Sequence, residues 1–257
     1  MNYLYPVRVG ELSFTNTVPF RLAGRWYPMP CSSPRLLAQW AEEDRIDAGV
    51  IPVVDAWRLE DRFDPLGAFG IAVKRRARSV LLFSKRPWEE LEGAIIGVTD
   101  QTSTSVQLLK LLMEVRDGFS VGFRDGFHPS DEARLVIGDN ALAPDAELAD
   151  KFPYIADLAE EWHAWHGSPF VFARWVVRKT VPPYLREELM DSLEDALDHF
   201  KLNQQNLCRQ SARFLKIPAR QVLEYLNGFV YRLGPAEEEA ETLFRALVIG
   251  RKRRTCC

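Results

Sequence analysis

The chain is poor in the residues that most directly announce a chemistry. It holds four cysteines, Cys31, Cys208, Cys256 and Cys257, and no pair has CxxC spacing. That excludes a disulfide scaffold and a zinc ribbon, and it fits a reducing compartment. Four histidines, His128, His163, His166 and His199, form no HExxH. No GxGxxG or GxxxxGK[ST] loop is present, which removes the usual dinucleotide and nucleotide cradles. No run approaches about 18 uninterrupted apolar residues, so no transmembrane helix is expected. The N-terminal MNYLYPVRVG lacks a basic segment followed by an apolar one, so no secretory signal is expected. Charge of one sign is also missing: 33 Lys and Arg stand against 36 Asp and Glu. That balance gives no global field for nucleic acid. These absences lead to a cytoplasmic protein with no metal, no cofactor, no membrane partner and no nucleic-acid partner.

What is present is an ordinary globular composition over 257 residues, 47% hydrophobic and 27% charged. At about 150 residues per domain this is one to two domains. A β-prone run at 6–10 leads into the loop ELSFTNTVPF, where Thr17 before Val18-Pro19 suits a helix start. Ser33-Pro34 then introduces an amphipathic helix through Ala41. Short apolar strands are expected at 46–51, 79–84, 94–98, 135–137 and 170–177. The run Val106–Met113 reads as a helix directly after a hydroxyl-rich turn. Residues 144–161 read as looser. From Pro183 to Leu247 the pattern is helical, broken at Ile217-Pro218 and Gly234-Pro235, with no strand expected. Alternating strands and helices through Val177 argue for an α/β fold. A two-lobed solution places 1–84 and 178–257 in one discontinuous lobe and 85–177 in the other. The tail RKRRTCC reads as a solvated end.

Thr102-Ser103-Thr104-Ser105 at a helix start is the strongest local signal. The first N–H groups of a helix lack intrahelical acceptors, and the dipole there favours an anion. Hydroxyls added to those groups make a carboxylate or phosphate cradle; a plain N-cap explains one of them equally well. Asn16-Thr17 lies on a loop after a strand, where α/β sheets place ligands, and Asn offers donor and acceptor together. A turn with a helix cap is the alternative, and Ser32-Ser33 and Gly138-Asp139-Asn140 have the same one. Arg75, Arg76 and Arg78 form a basic turn, either solvated or steering an anion.

Taken in order, the blocks TNTVPF, SPRLLAQW with IDAGVIPVVD, SVLLFS, TDQTSTSVQLLKLL, EARLVIGDNAL and DLAEEWHAWHGSPFVFARW have a specific likeness. The chain resembles the chorismate dehydratases of the futalosine route to menaquinone, over roughly residues 6–178 and more weakly beyond. The resemblance implies a periplasmic-binding-protein-like fold of type II, with two crossing strands and a ligand cleft between lobes. The family's tyrosine-leucine-asparagine-threonine appears here as Phe14-Thr15-Asn16-Thr17. Its serine-rich helix start maps onto Ser103, Thr104 and Ser105, and its glycine-aspartate block onto Gly138 and Asp139. Its threonine-glycine before the second crossing strand is here His166-Gly167, a departure from the pattern.

The implied reaction is loss of water from chorismate to give 3-[(1-carboxyvinyl)oxy]benzoate. Asn16 is the implied catalytic residue. Thr17, Ser84, Thr102, Ser103, Thr104, Ser105 and Asp139 are the implied substrate contacts. No matched block supplies an obvious base, so the substrate's own enolpyruvyl carboxylate is expected to take the proton. Three other readings stay open: a solute-binding protein for a small carboxylate, the dihydroxynaphthoate-forming enzyme of the same pathway, and a regulator's ligand-sensing domain. The second normally carries a cysteine-proline-asparagine-aspartate block that is absent here, and the third normally follows a helix-turn-helix. Oligomeric state is not readable from the sequence.

Overall fold

A computed structural model describes residues 6–24 and 26–255, with side chains through 252. Residues 1–5, Arg25, Cys256 and Cys257 lie outside the described residues, so the end of the basic tail and its two thiols are not placed. The chain begins with β1 (Arg8–Leu12), a 3₁₀ segment (Thr15–Phe20), β2 (Tyr27–Cys31), α1 (Pro34–Glu42), β3 (Ala48–Pro52), α2 (Val53–Arg58) and β4 (Phe63–Val73). It continues with β5 (Val80–Ser84), a 3₁₀ turn (Trp88–Glu90), β6 (Ile95–Val98) and α3 (Thr104–Lys110), which runs on as a π-helical segment (Leu111–Arg116). Then come β7 (Gly122–Asp125), β8 (Ala133–Ile137), α4 (Asp139–Leu142), α5 (Ala146–Lys151), β9 (Tyr154–Asp157), α6 (Leu158–His166) and β10 (Phe170–Arg178). The last elements are α7 (Pro183–Leu215), α8 (Ala219–Leu226), β11 (Phe229–Arg232) and α9 (Pro235–Thr255).

The chain divides into two compact units. The first comprises Met1–Ile71 and Phe172–Leu233, the second Ala72–Val171 and Gly234–Cys257. The chain thus changes unit within β4, within β10 and again before α9.

The first unit is built on a six-stranded sheet of order β11-β4-β10-β3-β1-β2. β1 is parallel to both β2 and β3, while β10 runs antiparallel to β3. β2 reads Tyr-Pro-Met-Pro-Cys, which the sequence did not suggest as a strand. It is tolerated because it lies at the sheet edge, where a proline's missing N–H removes no ladder bond. β11 is the second departure, since the C-terminal third was expected to hold no strand. It adds to the opposite edge. Leu185, Leu189, Leu193 and Leu197 recur every fourth residue on α7 and form one buried stripe. They pack with Val9, Val50, Phe69 and Trp175 from the sheet. Leu37 of α1 joins a separate core cluster with Ile46 and Ile51. Gly10 allows that approach: a Cβ there would sit 2.2 Å from Leu37 Cδ1.

An ionic network pins the start of this unit. Arg8 donates through Nε and Nη2 to Asp47 (2.9 and 2.8 Å), and its backbone N–H donates to the same carboxylate (3.0 Å). Arg178 Nε lies 3.5 Å from it. Burial pushes the Asp47 carboxyl up, but the Arg8 hydrogen bonds and the two guanidinium charges hold it below the ordinary range.

The second unit is built on a five-stranded sheet of order β7-β6-β8-β5-β9. β6 is parallel to β7 and β8, and β5 is antiparallel to β8 and β9. The sequence reading placed 80–84 with the first lobe, but β5 pairs only within this second sheet. It also placed the C-terminal helix there. Instead α9 falls in the second unit: Phe244 meets Trp162 and Phe170 edge-on, at 5.8 and 4.8 Å between centroids. Arg251 donates to Glu114 and Gln107, each at 2.9 Å. The looser stretch at 144–161 is in fact α5, β9 and the start of α6. Asp157 joins these parts. Its carboxylate accepts from the N–H groups of Ala159 and Glu160 at the start of α6, and from those of Ala77 and Arg78 before β5.

Candidate functional site

In the first unit the informative region is the C-terminal end of β1. Side chains alternate along a strand, so Glu11 shares the face of Val9, away from Gly10. The chain then turns into the 3₁₀ segment, held by i→i−3 bonds such as Thr17 N–H to Phe14 O (3.0 Å). Phe20 anchors it, with its ring 5.6 Å from Trp175 and 5.3 Å from Tyr231. Thr17 Oγ1 lies within hydrogen-bond distance of two carbonyls, Leu12 O (2.8 Å) and Phe14 O (2.7 Å). Its single proton is therefore committed to the turn, and Thr17 can offer a ligand only an acceptor.

Asn16 is different. Its side-chain oxygen is buried and has no hydrogen-bond partner among the described residues. Such an orphan costs about 1–3 kcal/mol, and it asks for a donor from outside the fold. The next residue, Thr17, lines a cavity of about 220 Å³ together with Glu11, Ser13, Arg21, Val50 and Trp175, among others. Val50 and Trp175 are direct partners across the β3–β10 ladder. The Trp175 indole N–H is likewise buried without a partner. Glu11 and Arg21 are the titratable side chains of this lining. Burial pushes the Glu11 carboxyl above its ordinary value, and the Arg21 charge pulls it part of the way back. Nothing in the sequence pattern marked Glu11 or Arg21, because their placement depends on how β1 and the turn pack.

In the second unit β6 and β8 run side by side, so the turns that follow them share one end of the sheet. Thr99 N–H donates to Leu135 O (3.2 Å) there. That end holds the start of α3 and Gly138-Asp139. Gly138 adopts φ 65°, which suits glycine, and begins α4. The hydroxyls at α3 differ in role. Thr102 Oγ1 accepts from Ser105 N–H (3.2 Å) and is the cap. Thr102, Thr104 and Ser105 are buried, whereas Ser103 is half-buried and makes no side-chain cap bond. The helix start therefore offers Ser103 as its accessible hydroxyl.

Ser84 is not brought to this end. β5 runs antiparallel to β8, so Ser84 faces Ala133 while Val80 faces Ile137. Four residues of strand separate the two ends, about 13 Å at ~3.3 Å per residue. Ser84 Oγ donates to Arg86 O (2.7 Å) and closes a local turn. Ser79 stands at that end of β5: its carbonyl accepts from Gly138 N–H at 2.8 Å. Strand direction decides this, and a sequence pattern does not show it.

His166, which stands where the family pattern has threonine, ends α6 with its ring 4.4 Å from Trp162 and 4.1 Å from Trp165. Its Nε2 is buried without a partner, and burial lowers its pKa. Cys31 and Cys208 are buried and unbridged, their thiols pushed up by burial. Among the described residues no group of three or more His, Cys, Asp or Glu is placed to hold a metal. No helix among them is long and apolar enough to cross a membrane.

Comparison with known structures places the fold in the class of periplasmic binding proteins. A solved Archaeoglobus fulgidus protein aligns with TM-score 0.76 at 14% identity, covering 98% of this chain and 99% of that one. The periplasmic aliphatic sulphonate binding protein of Escherichia coli aligns with TM-score 0.62 at 12% identity, covering 97% and 88%. Within that class the chain belongs to the menaquinone biosynthesis family, whose model matches residues 7–248. A chorismate dehydratase of Thermus thermophilus is 30% identical over 191 residues, 68% of this chain and 69% of that protein. One from Campylobacter jejuni is 28% identical over 177 residues, 65% of each.

Proposed function

We propose that the protein is a chorismate dehydratase, a cytoplasmic carbon–oxygen lyase that removes water from chorismate to give 3-[(1-carboxyvinyl)oxy]benzoate. The observation that carries this reading is the orphaned, buried Asn16 oxygen in the block TNTVPF, one residue before Thr17, which lines a cavity. Chorismate supplies what that oxygen lacks, a ring hydroxyl that donates a hydrogen bond and is also the group to be lost. Held by Asn16, the C–O bond is oriented for elimination.

The proton removed lies on the ring carbon bearing the enolpyruvyl ether. In this scheme the enolpyruvyl carboxylate takes it, the C–H electron pair enters the ring, and the neighbouring C–O bond breaks. The carboxylic acid then returns its proton to the departing oxygen, which leaves as water. Proximity within one bound molecule can supply ~7–11 kcal/mol of the barrier. Asn16 does not titrate, so it orients without competing for the proton. A substrate carboxylate is suited to the start of α3, where the dipole and the Ser103 hydroxyl favour negative charge. Ser105 and Thr104 shape that turn from inside, Thr102 caps it, and Asp139 begins the neighbouring α4. Ser84 is left out of the proposed contacts.

Incubation with chorismate followed by mass spectrometry tests the reading. The expected product is lighter than chorismate by one water and aromatic in its ultraviolet spectrum. Saturable binding with no such product would leave a solute-binding protein in its place.

A further inference from the structure

The first unit contains a second and larger cavity, of about 470 Å³, between the 3₁₀ segment and α7. Its floor is apolar: Val18, Ala196 and Phe200 are buried there. Its rim carries Arg21 and Asp195. Among the described residues neither side chain makes a hydrogen bond or a salt bridge, with each other or with a third group, although the Arg21 charge acts on Glu11. Ser192, also on the rim, is already committed: its Oγ accepts from Trp26 Nε1 (3.1 Å) and donates to Glu188 O (2.8 Å). An exposed cation and an exposed anion, apart from each other over an apolar floor, complement a molecule that carries both charges next to an apolar body.

We propose that this cavity binds an amino acid with an aromatic side chain. Its carboxylate meets Arg21, its ammonium meets Asp195, and its ring lies on Val18, Ala196 and Phe200. Arg21 lines the 220 Å³ cavity as well, so the two cavities share one guanidinium. A carboxylate bound at Arg21 in the larger cavity offsets the charge it presents to the smaller one. The smaller cavity then receives a dianion less well, and by linkage the dianion weakens the amino acid by the same factor. That coupling rests on the dehydratase reading, whereas the amino-acid site does not.

Isothermal titration of the full chain with L-phenylalanine, 3-phenylpropanoate and phenethylamine tests the site without any turnover. The expected result is saturable binding of L-phenylalanine, with each half-ligand weaker by about ten-fold or more, equivalent to about 1.4 kcal/mol. Asp195→Asn should weaken L-phenylalanine by about ten-fold and leave 3-phenylpropanoate unchanged. Ala196→Trp should abolish binding of both, and Asp195→Asn decides the matter if that variant fails to fold. No binding of L-phenylalanine at millimolar concentration overturns the proposal. So does equal binding of the half-ligands, or an Asp195→Asn variant indistinguishable from the parent. A protein that binds L-phenylalanine as described but leaves chorismate intact would sink the dehydratase reading alone.

Discussion

The two units prepare for a ligand by opposite means. In the first, the end of β1 gathers full charges and unsatisfied polar atoms: Glu11 and Arg21 line one cavity, and the Asn16 oxygen has no partner. In the second, the start of α3 gathers neutral hydroxyls, of which Thr102 caps the turn and Thr104 and Ser105 are buried. The scaffolds differ in the same way. Asp47 in the first unit is held by guanidinium groups, whereas Asp157 in the second is held by four backbone N–H groups. Charges and orphans make a region sensitive to pH and to single substitutions; backbone dipoles do not titrate. The two regions should therefore fail differently when perturbed.

The largest effect on stability is expected at the ionic scaffold. Asp47→Asn removes the charge that Arg8 and Arg178 share, leaving both guanidinium groups without it. Asp47 is buried, but Arg8 is partly exposed and Arg178 keeps Asp44, so the loss is about 1.5–3 kcal/mol, and denaturant melts should shift by that amount. The wild-type Asp47 carboxyl titrates below its ordinary value, so its contribution is present above that value. It is lost as pH falls through the lowered folded pKa. Acid melts of the two proteins should converge there; parallel curves down to low pH would show that Asp47 contributes little.

Asn16 comes next. Asn16→Asp keeps the shape but places a negative charge beside a dianion, and Asn16→Ala removes the orienting contact. Turnover should fall by a factor of about 10²–10³ in either, the scale of a lost transition-state contact. In Asn16→Ala, kcat should fall more than binding does. Deleting the orphaned oxygen also removes its cost, so Asn16→Ala should melt no lower than the parent.

Much of the fold could be read in advance, and the exceptions have common causes. Strand–helix alternation, the Ser33 cap and the hydroxyl-rich start of α3 are local patterns, and the structure reproduces them. β2 was hidden by Pro28 and Pro30, and β11 by its four-residue length. The unit boundaries and the position of Ser84 depend on which strands pair and in which direction, which no local window contains. For the site, Asn16 was marked by its motif. Glu11 and Arg21 were not, because a charged side chain becomes informative only once its burial is known.

Two neighbouring hydroxyls sharpen the contrast within the second unit. Ser103→Ala should weaken chorismate binding by about 1.5–3 kcal/mol, a hydrogen bond to a charged group, with little change in Tm. Thr102→Val should do the reverse, costing about 1 kcal/mol of stability as a lost N-cap with binding nearly retained. Calorimetric titration and thermal melts on both variants separate the roles. If both lose only stability, the helix start is a cap throughout and the first unit alone recognises the ligand.

The smallest effect is a change of sign at Glu11. Its carboxyl is half-buried, and burial raises its pKa above the ordinary 4.5, with Arg21 offsetting part of the rise. A raised folded pKa means that the native state binds the proton more tightly than the unfolded chain. The associated stability is fully present below 4.5 and is lost as pH rises through the folded value. At neutral pH the charged carboxylate is thus a net cost, and Glu11→Gln removes it without changing the volume. The variant should melt slightly higher than the parent at pH 7, with the difference closing below 4.5. Asp157→Asn is the parallel case in the second unit, where burial likewise raises the carboxyl pKa and backbone N–H groups, rather than an arginine, offset part of the rise. A Glu11→Gln variant less stable than the parent at pH 7 would mean that Arg21 outweighs burial. Arg21 would then be held by Glu11 rather than available to a ligand.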